Sequence, residues 1–105
     1  MIKEKANIAV FISGRGTNLK ALILRSKRKN CNYKIVYVIS NKRNAAGLKI
    51  AKKNQIITKV ISQSFLKIEQ KKLAKFLIDK DIKFICLAGF MKILTPYFLN
   101  FLRIK

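Results

Sequence analysis

The stretch that most constrains what this chain can fold into is a continuous apolar run at residues 8–12, which ends directly in a turn with two glycines. A strand that is apolar at every position, rather than at every second one, is typical of a parallel sheet covered on both faces. Ser13, Gly14 and Gly16 lie in the turn, and Thr17 opens a segment with the spacing of an amphipathic helix. Such a turn directs backbone N–H groups and the positive end of a helix dipole into one small space, which suits a phosphate or another anion.

The alternation of strand and helix continues along the chain. We predict strands at residues 7–12, 33–40, 55–61 and 83–88, and helices at 17–29, 43–54, 65–80 and 97–102. This order, with short connections, predicts an α/β fold in which about four parallel strands are joined by right-handed crossovers and flanked by helices. Ligands bind such sheets at the carboxyl ends of the strands. We therefore expect the loops at 13–18, 40–44 and 89–93 to come together at that edge.

Charge is the most lopsided feature of the composition. The chain has 24 Lys and Arg against 4 Asp and Glu, a formal net charge of +20. Such a balance suggests nucleic acid or an acidic surface as a partner. The lysines are spread over nearly every polar face, however, and aromatic residues do not alternate with basic ones as in an RNA-binding signature. We therefore do not favour nucleic acid as the main partner, and we expect the charge to attract small anionic substrates.

The two cysteines, Cys31 and Cys86, are spaced neither as a metal site nor as a redox pair, and the chain has no histidine to complete a zinc site. We expect no bound metal, free thiols and a reducing, cytoplasmic setting. Cys86 lies in an apolar run and is expected to be a small buried side chain. No apolar stretch approaches the roughly 18 residues that span a bilayer, so we expect no membrane contact.

The glycine turn fits one kind of phosphate site better than two others. Gly14 and Gly16 do not meet the P-loop pattern G-x-x-x-x-G-K-[ST]. The dinucleotide fingerprint needs a third glycine where Leu19 stands, and an acidic residue after the second strand, where residues 40–42 are Ser, Asn and Lys. Two interpretations remain: a cradle for a single phosphate, or a plain tight turn with Thr17 as the helix N-cap.

Three segments of the chain carry a more specific pattern. ISGRGTN occupies residues 12–18, SNKRNAAGLKIA residues 40–51, and LAGFMKILTP residues 87–96. In this order they resemble the glycinamide ribonucleotide formyltransferase family, the folate-dependent enzymes of purine synthesis. That family carries ISGxG[ST]N after its first strand, SN[KR]xDAxGLxxA after its second and LAGFM[RK]ILxP after its fourth. The resemblance covers essentially the whole chain and implies a Rossmann-like sheet.

The resemblance also implies where the substrates bind. The loop after the first strand would hold the phosphate of glycinamide ribonucleotide through Gly16, Thr17 and Asn18. The loop after the fourth strand would hold the pterin of the co-substrate, 10-formyltetrahydrofolate. The folate contacts carry over onto Met91, Lys92, Ile93 and Leu94. An apolar slot with a few polar groups suits a flat heteroaromatic ring, but core packing of Phe90 and Ile93 would explain the same residues.

Some positions depart from the family pattern. Asn44 stands where the family usually has Asp, which puts any charge role there in doubt. Lys92 stands where Arg is common, so the positive charge is kept and the planar fork is lost. Lys67 is one candidate for a further basic contact to the folate.

The family's catalytic groups are not in this sequence. Formyl transfer to an amine passes through a tetrahedral oxyanion and needs a hydrogen-bond donor and a group that moves protons. The family supplies them with the Asn and His of an N-x-H-P-S segment, which would begin just past Lys105, and with a later Asp. Asp79 and Asp81 are expected to be solvated caps away from the three loops. We therefore assign no catalytic residue to this chain.

These observations predict that residues 1–105 are the N-terminal part of a single formyltransferase domain, truncated before its catalytic groups and inactive alone. The apolar final segment leaves self-association open. Two alternatives remain: the domain of a methionyl-tRNA formyltransferase, whose first loop does not usually read SGxG[ST]N, and a basic nucleic-acid-binding domain on an α/β scaffold.

Overall fold

The computed structural model describes residues 5–14, 16–62 and 67–90. Strands and helices alternate through these residues, as the apolar patterns predict. The strands are β1 (Ala6–Ile12), β2 (Tyr33–Ser40), β3 (Ile57–Val60) and β4 (Phe84–Leu87). The helices are α1 (Thr17–Ser26), α2 (Ala46–Lys53) and α3 (Lys67–Asp79). The helix expected at 97–102 lies outside the described residues.

The four strands form one parallel sheet in the order β3-β2-β1-β4. The predicted α/β fold is therefore confirmed. The chain moves outward from β1 to β2 and β3, and α3 then carries it back across the sheet to β4, on the other side of β1. The strand order reverses between β1 and β4, which is the point at which open α/β sheets bind ligands.

Both faces of the sheet are covered by helices. Ile8, Val10 and Ile12 of β1 pack under α1 and α2, whereas Ala9 and Phe11 pack under α3. None of the five is more than 6% exposed. Because successive side chains of a strand point to opposite faces, a central strand with two covered faces has to be apolar at every position. This requirement explains the run at 8–12.

The buried faces of the helices follow the predicted spacing. In α1 and α2 and at the residue before α2, the buried side chains are Leu19, Ile23, Ala45, Leu48 and Ala51. In α3, Leu73 and Leu77 are buried and Phe76 is partly buried against the same core. None of the helices in the described residues is long and apolar enough to cross a membrane.

β2 has the predicted bounds and β1 begins one residue earlier than predicted, whereas the other elements begin or end one to three residues inside their predicted bounds. α1 ends at Ser26, whose hydroxyl donates to the Ile23 carbonyl at 2.6 Å. α2 begins at Ala46 because the Ser40 hydroxyl accepts from the Lys42 N–H at 2.9 Å and donates to the Lys42 carbonyl at 2.8 Å, which holds a turn. β3 begins only at Ile57, since Gln55 has a φ of 61° that no strand accommodates.

The pairing of β1 with β2 contains one irregularity. Ile8 lies opposite Ile35, but Ala9 lies opposite Tyr37, so Val36 is an extra residue in β2. An extra residue of this kind is a β-bulge, which bends the strand and resets which residues face each other. Beyond the bulge the register is regular, and it brings the last residues of the two strands, Ile12 and Ser40, directly opposite each other.

Candidate ligand-binding site

The turn after β1 leads into α1 through a glycine in the left-handed conformation. Gly16 has φ 82° and ψ 16° and is the N-cap of α1, and the N–H of Lys20 donates to its carbonyl at 2.9 Å. The alternative in which Thr17 is the N-cap is therefore wrong, because Thr17 is already the first helical residue. Glycine is favoured at this position since other residues reach such φ values only with strain.

The N-terminus of α1 is left open to solvent and carries no compensating charge. No side chain caps the helix among the described residues, and its first turn contains no acidic residue. The first N–H groups of a helix have no partner within the helix, and together with the dipole they form a positive end. Thr17 and Asn18 are exposed beside this end. The geometry therefore offers an anion several donors at once.

The open end of α1 faces a cavity of about 240 Å³ where β1 and β4 end. The cavity is lined by Gly14, Gly16, Thr17, Asn18, Ala88 and Gly89. It lies at the reversal of strand order between β1 and β4, as the topology requires of a ligand site. The structure thus brings together the three residues predicted to bind phosphate and the start of the loop after β4. Arg15 lies outside the described residues.

The loop after β4 enters the site with its backbone tied to β1. The N–H of Ala88 donates to the carbonyl of Phe11 at 2.9 Å, and Gly89 has a φ of 77°. The Phe90 ring packs edge-on against the Phe11 ring, with 5.2 Å between the ring centroids. Phe90 is partly buried and packs against the core, as the core-packing interpretation predicts for this residue. The residues predicted to bind the folate, Met91, Lys92, Ile93 and Leu94, lie outside the described residues, as does the Lys67 side chain.

The loop after β2 supports the turn after β1 from the other side. The Ser13 hydroxyl donates to Asn41 Oδ1 at 2.7 Å, and both residues are buried. The N–H of Gly47 donates to the carbonyl of Gly14 at 3.4 Å. Sequence reasoning assigned no role to Asn41 or Gly47. Both lie in residues 40–51, one of the three segments that carry the family resemblance. That resemblance was the feature of the sequence that could have indicated a role for them.

A larger groove of about 560 Å³ runs between α1 and β4, the outer strand of the sheet in the described residues. It shares Asn18 and Ala88 with the cavity, and further along its lining includes Arg25 and Cys86. Burial raises the pKa of the Cys86 thiol, which keeps the thiol neutral around physiological pH. Cys86 is half-buried and packs against the core under α1, so the expected apolar role is confirmed in part.

The acidic residues at the end of α3 lie at the amino ends of the strands, opposite the end of the sheet that carries the cavity. Asp81 has a φ of 59° and forms an exposed ion pair with Lys83, whose Nζ lies 2.9 Å from Asp81 Oδ1. Its carbonyl accepts from the side-chain amide of Asn7, near the start of β1. The expectation that Asp79 and Asp81 lie away from the three loops is confirmed. Within the described residues, no group of three or more His, Cys, Asp or Glu is arranged to hold a metal ion.

Comparison with known proteins agrees with the geometry. A family model described as formyl transferase matches residues 6–105. The human trifunctional purine biosynthetic protein adenosine-3 is 41% identical over 101 residues, which cover 93% of this chain and 10% of that protein. Phosphoribosylglycinamide formyltransferase of Dictyostelium discoideum is 44% identical over 105 residues, which cover 90% of this chain and 51% of that enzyme.

A solved structure shares the fold. The crystal structure of phosphoribosylglycinamide formyltransferase from Anaplasma phagocytophilum superimposes with a TM-score of 0.81 at 37% identity, covering 92% of this chain and 46% of that one. The Rossmann-like sheet implied by the resemblance is thus confirmed. This chain spans about half the length of these two phosphoribosylglycinamide formyltransferases. From the matched residues and the shared fold, the chain belongs to the formyl transferase family.

Proposed function

We propose that this chain is the N-terminal part of a phosphoribosylglycinamide formyltransferase domain, which acts in the de novo synthesis of purines (IMP). The reaction moves a formyl group from 10-formyltetrahydrofolate to the amine of glycinamide ribonucleotide. The observation that carries the proposal is the cavity at the reversal of strand order, in which the uncapped end of α1 meets the loop after β4. The names of the matching relatives favour this substrate over a methionyl-tRNA.

The turn after β1 holds the phosphate of glycinamide ribonucleotide in this proposal. Gly16 lines the cavity, and its left-handed φ leads the chain directly into the first turn of α1, whose N–H groups have no partner within the helix. Thr17 adds a hydroxyl and Asn18 an amide, and both are exposed. The charge of +20 raises the local concentration of an anionic substrate.

The loop after β4 holds the pterin ring of the folate in this proposal. Ala88 and Gly89 line the same cavity as the phosphate donors, which supports two substrates meeting there. The contacts assigned to Met91, Lys92, Ile93 and Leu94 rest on the family resemblance.

Two free cysteines support a reducing, cytoplasmic setting for this chemistry.

The chemical step needs groups that this chain does not carry. The substrate amine attacks the formyl carbon and forms a C–N bond, the bond from that carbon to N10 of the folate breaks, and a proton passes from the amine to N10. A donor must stabilise the oxyanion and another group must move the proton. Among the described residues that line the cavity there is no carboxylate and no imidazole. The 105-residue chain therefore binds and orients substrate without catalysing transfer.

Two measurements on the 105-residue chain test the proposal. In amide NMR spectra, ribose 5-phosphate shifts the resonances of Gly16, Thr17 and Asn18, whereas ribose without phosphate leaves them in place. In a formyl-transfer assay with both substrates, the pure chain shows no turnover. Unchanged loop resonances at millimolar ribose 5-phosphate contradict the phosphate site, and measurable turnover contradicts the assignment of the catalytic groups.

A further inference from the structure

Two glycines from different connections of the sheet touch beside the cavity. A Cβ added to Gly16 would lie 2.6 Å from the Cα of Gly47 and 3.1 Å from its backbone nitrogen. A Cβ added to Gly47 would collide with Ile12 Cδ1 and lie 3.3 Å from the Cα of Gly16. A side chain at Gly16 would therefore force backbone to move, whereas one at Gly47 would displace the end of the Ile12 side chain and press on the Gly16 backbone. The backbones of α2 and of the turn after β1 are in direct contact.

Polar contacts join the same two segments on either side of that point. The N–H of Gly47 donates to the carbonyl of Gly14, and the hydroxyl of Ser13 donates to the side chain of Asn41. Asn41 is only 4% exposed and Ser13 only 1% exposed. A hydrogen bond sealed from water competes little with solvent, so the bond between Ser13 and Asn41 fixes the distance between the two connections.

The presence of glycine in α2 has no explanation within the helix itself. Glycine is among the poorest helix formers, so alanine would suit this position of α2 better by propensity alone. Gly47 is buried, and its φ lies outside the left-handed region. What favours glycine is the close approach of two neighbours, because a Cβ at residue 47 would meet the end of the Ile12 side chain and press on the Gly16 backbone at 3.3 Å.

We infer that Gly47 and Asn41 are positioning residues for the phosphate loop, residues 13–18. They set where the donors of Gly16, Thr17 and Asn18 stand without touching the ligand themselves. The inference rests on the proposed function for the identity of the ligand, a phosphate monoester. The contact geometry itself does not depend on that identity, so the two can fail separately.

The test compares Gly47→Ala with Ala46→Ser in the 105-residue chain. Both changes add one heavy atom to the first turn of α2, but Ala46 is exposed and Gly47 is not. With Gly47→Ala we expect the free chain to show displaced amide resonances for Gly14, Gly16 and Thr17. We also expect affinity for ribose 5-phosphate to fall about tenfold or more, since small misplacements of binding groups are expensive. Ala46→Ser should change neither.

A second variant separates loop position from core stability. Ile12→Val removes the Cδ1 atom that the new Cβ would meet, but leaves the contact with the Gly16 backbone. The double variant Gly47→Ala/Ile12→Val is compared with Ile12→Val alone. We expect Gly47→Ala to cost less thermal stability in this background than in the unchanged chain. The displaced resonances and the weakened binding should remain. Asn41→Ala, which adds no bulk, should displace the Ser13 and Gly14 resonances as well.

The outcomes distinguish the positioning role of Gly47 and Asn41 from the proposed function. If the double variant recovers stability, resonances and affinity together, or if Gly47→Ala leaves the loop resonances as in Ala46→Ser, the positioning role is overturned. If the unchanged chain does not respond to ribose 5-phosphate, the proposed function fails, and the displaced resonances of the free variants still decide the positioning role. If Gly47→Ala does not fold, the Asn41→Ala spectrum decides it.

Discussion

Gly16 shows how far a single residue of the site could be predicted. The sequence indicates a glycine that allows close approach after β1, and the structure places it at the N-cap of α1 with a φ of 82°. Its partner Gly47 could not be found from local pattern, since the contact joins segments 31 positions apart that only the packing of α2 beside α1 brings together. Long-range contacts of this kind are invisible to periodicity and propensity.

Replacement of Gly16 by alanine tests the two requirements at this position, which are a left-handed φ and close contact with the backbone of α2. We expect Gly16→Ala to lower the free energy of unfolding by about 1–3 kcal/mol, because a left-handed φ strains alanine and the added Cβ meets backbone at 2.6 Å. Urea unfolding followed by circular dichroism measures the change. Gly14→Ala is the matched control, since its Cβ would meet nothing within 4 Å. Equal effects of the two substitutions would contradict the account.

The Cys86 thiol gives a prediction about pH. Burial raises the pKa of this thiol, so the folded chain keeps the proton at pH values where the unfolded chain has lost it. The unfolded state then binds fewer protons, and stability falls as pH rises from the ordinary thiol pKa through the raised one. Below the ordinary pKa the full contribution of the neutral thiol is present.

Alkylation measures the same shift directly. In a Cys31→Ser variant, we expect the rate of reaction with iodoacetamide to reach its half-maximum at a higher pH in the folded chain than in urea, because the thiolate is the reactive form. Serine keeps a donor for the Tyr33 carbonyl that Cys31 contacts at 3.6 Å. Coincident folded and unfolded profiles would show that Cys86 is not desolvated.

At the scale of elements, the existence and type of each strand and helix in the described residues were predictable, whereas many of their ends were not. Apolar periodicity extends through residues that could continue a helix or strand, so it sets no boundary. The boundaries come from polar details such as the Ser40 hydroxyl, which holds a turn before α2, and the left-handed φ of Gln55 before β3. Whether a side chain makes such a bond depends on the position of its neighbours in space.

α3 covers one face of the sheet, and adjacent residues of this helix test that layer. Leu77 is fully buried against the core, whereas Ile78 is 44% exposed. We expect Leu77→Ala to lower the free energy of unfolding by about 2–5 kcal/mol, as for other large-to-small changes in cores, and Ile78→Ala to lower it by less than about 1 kcal/mol. Urea midpoints at equal slope measure both. Equal losses would mean that α3 does not pack through the face containing Leu77.

At the scale of the molecule, the parallel sheet and the meeting of the loops at its carboxyl ends followed from the alternation of elements, whereas the strand order came from the structure. The sign of the net charge could be read from the sequence, but the distribution of the charged side chains over the surface could not. With 24 basic and 4 acidic side chains, most cations have no anionic neighbour to offset them. Self-repulsion of this size destabilises a compact state.

Screening the charge should therefore stabilise the fold. We expect the melting temperature to rise by about 5 °C or more between about 0.02 and 0.5 M sodium chloride, because the screening length falls well below the spacing of surface charges. A variant with Lys34, Lys52 and Lys75 changed to Gln should melt higher at low salt and respond less to added salt, since all three are exposed. A melting temperature that falls with salt would contradict this.

The extra residue in β2 has a consequence for how the molecule tolerates change. Val36 lies beside the pair formed by Ala9 and Tyr37. Ala9 is three residues before Ile12, which places the bulge roughly 10 Å from the cavity at about 3.3 Å a residue. Deleting Val36 would leave Ile35 opposite Ile8 and Tyr37 opposite Ala9, so the contact between Ser13 and Asn41 would stay in register. A deletion in β2 beyond the bulge would instead shift Asn41 one place relative to Ser13 and turn the side chains that follow it to the wrong face. The bulge is thus a place where β2 can lose a residue without misaligning the site, whereas the strand beyond it is a poor place to engineer length.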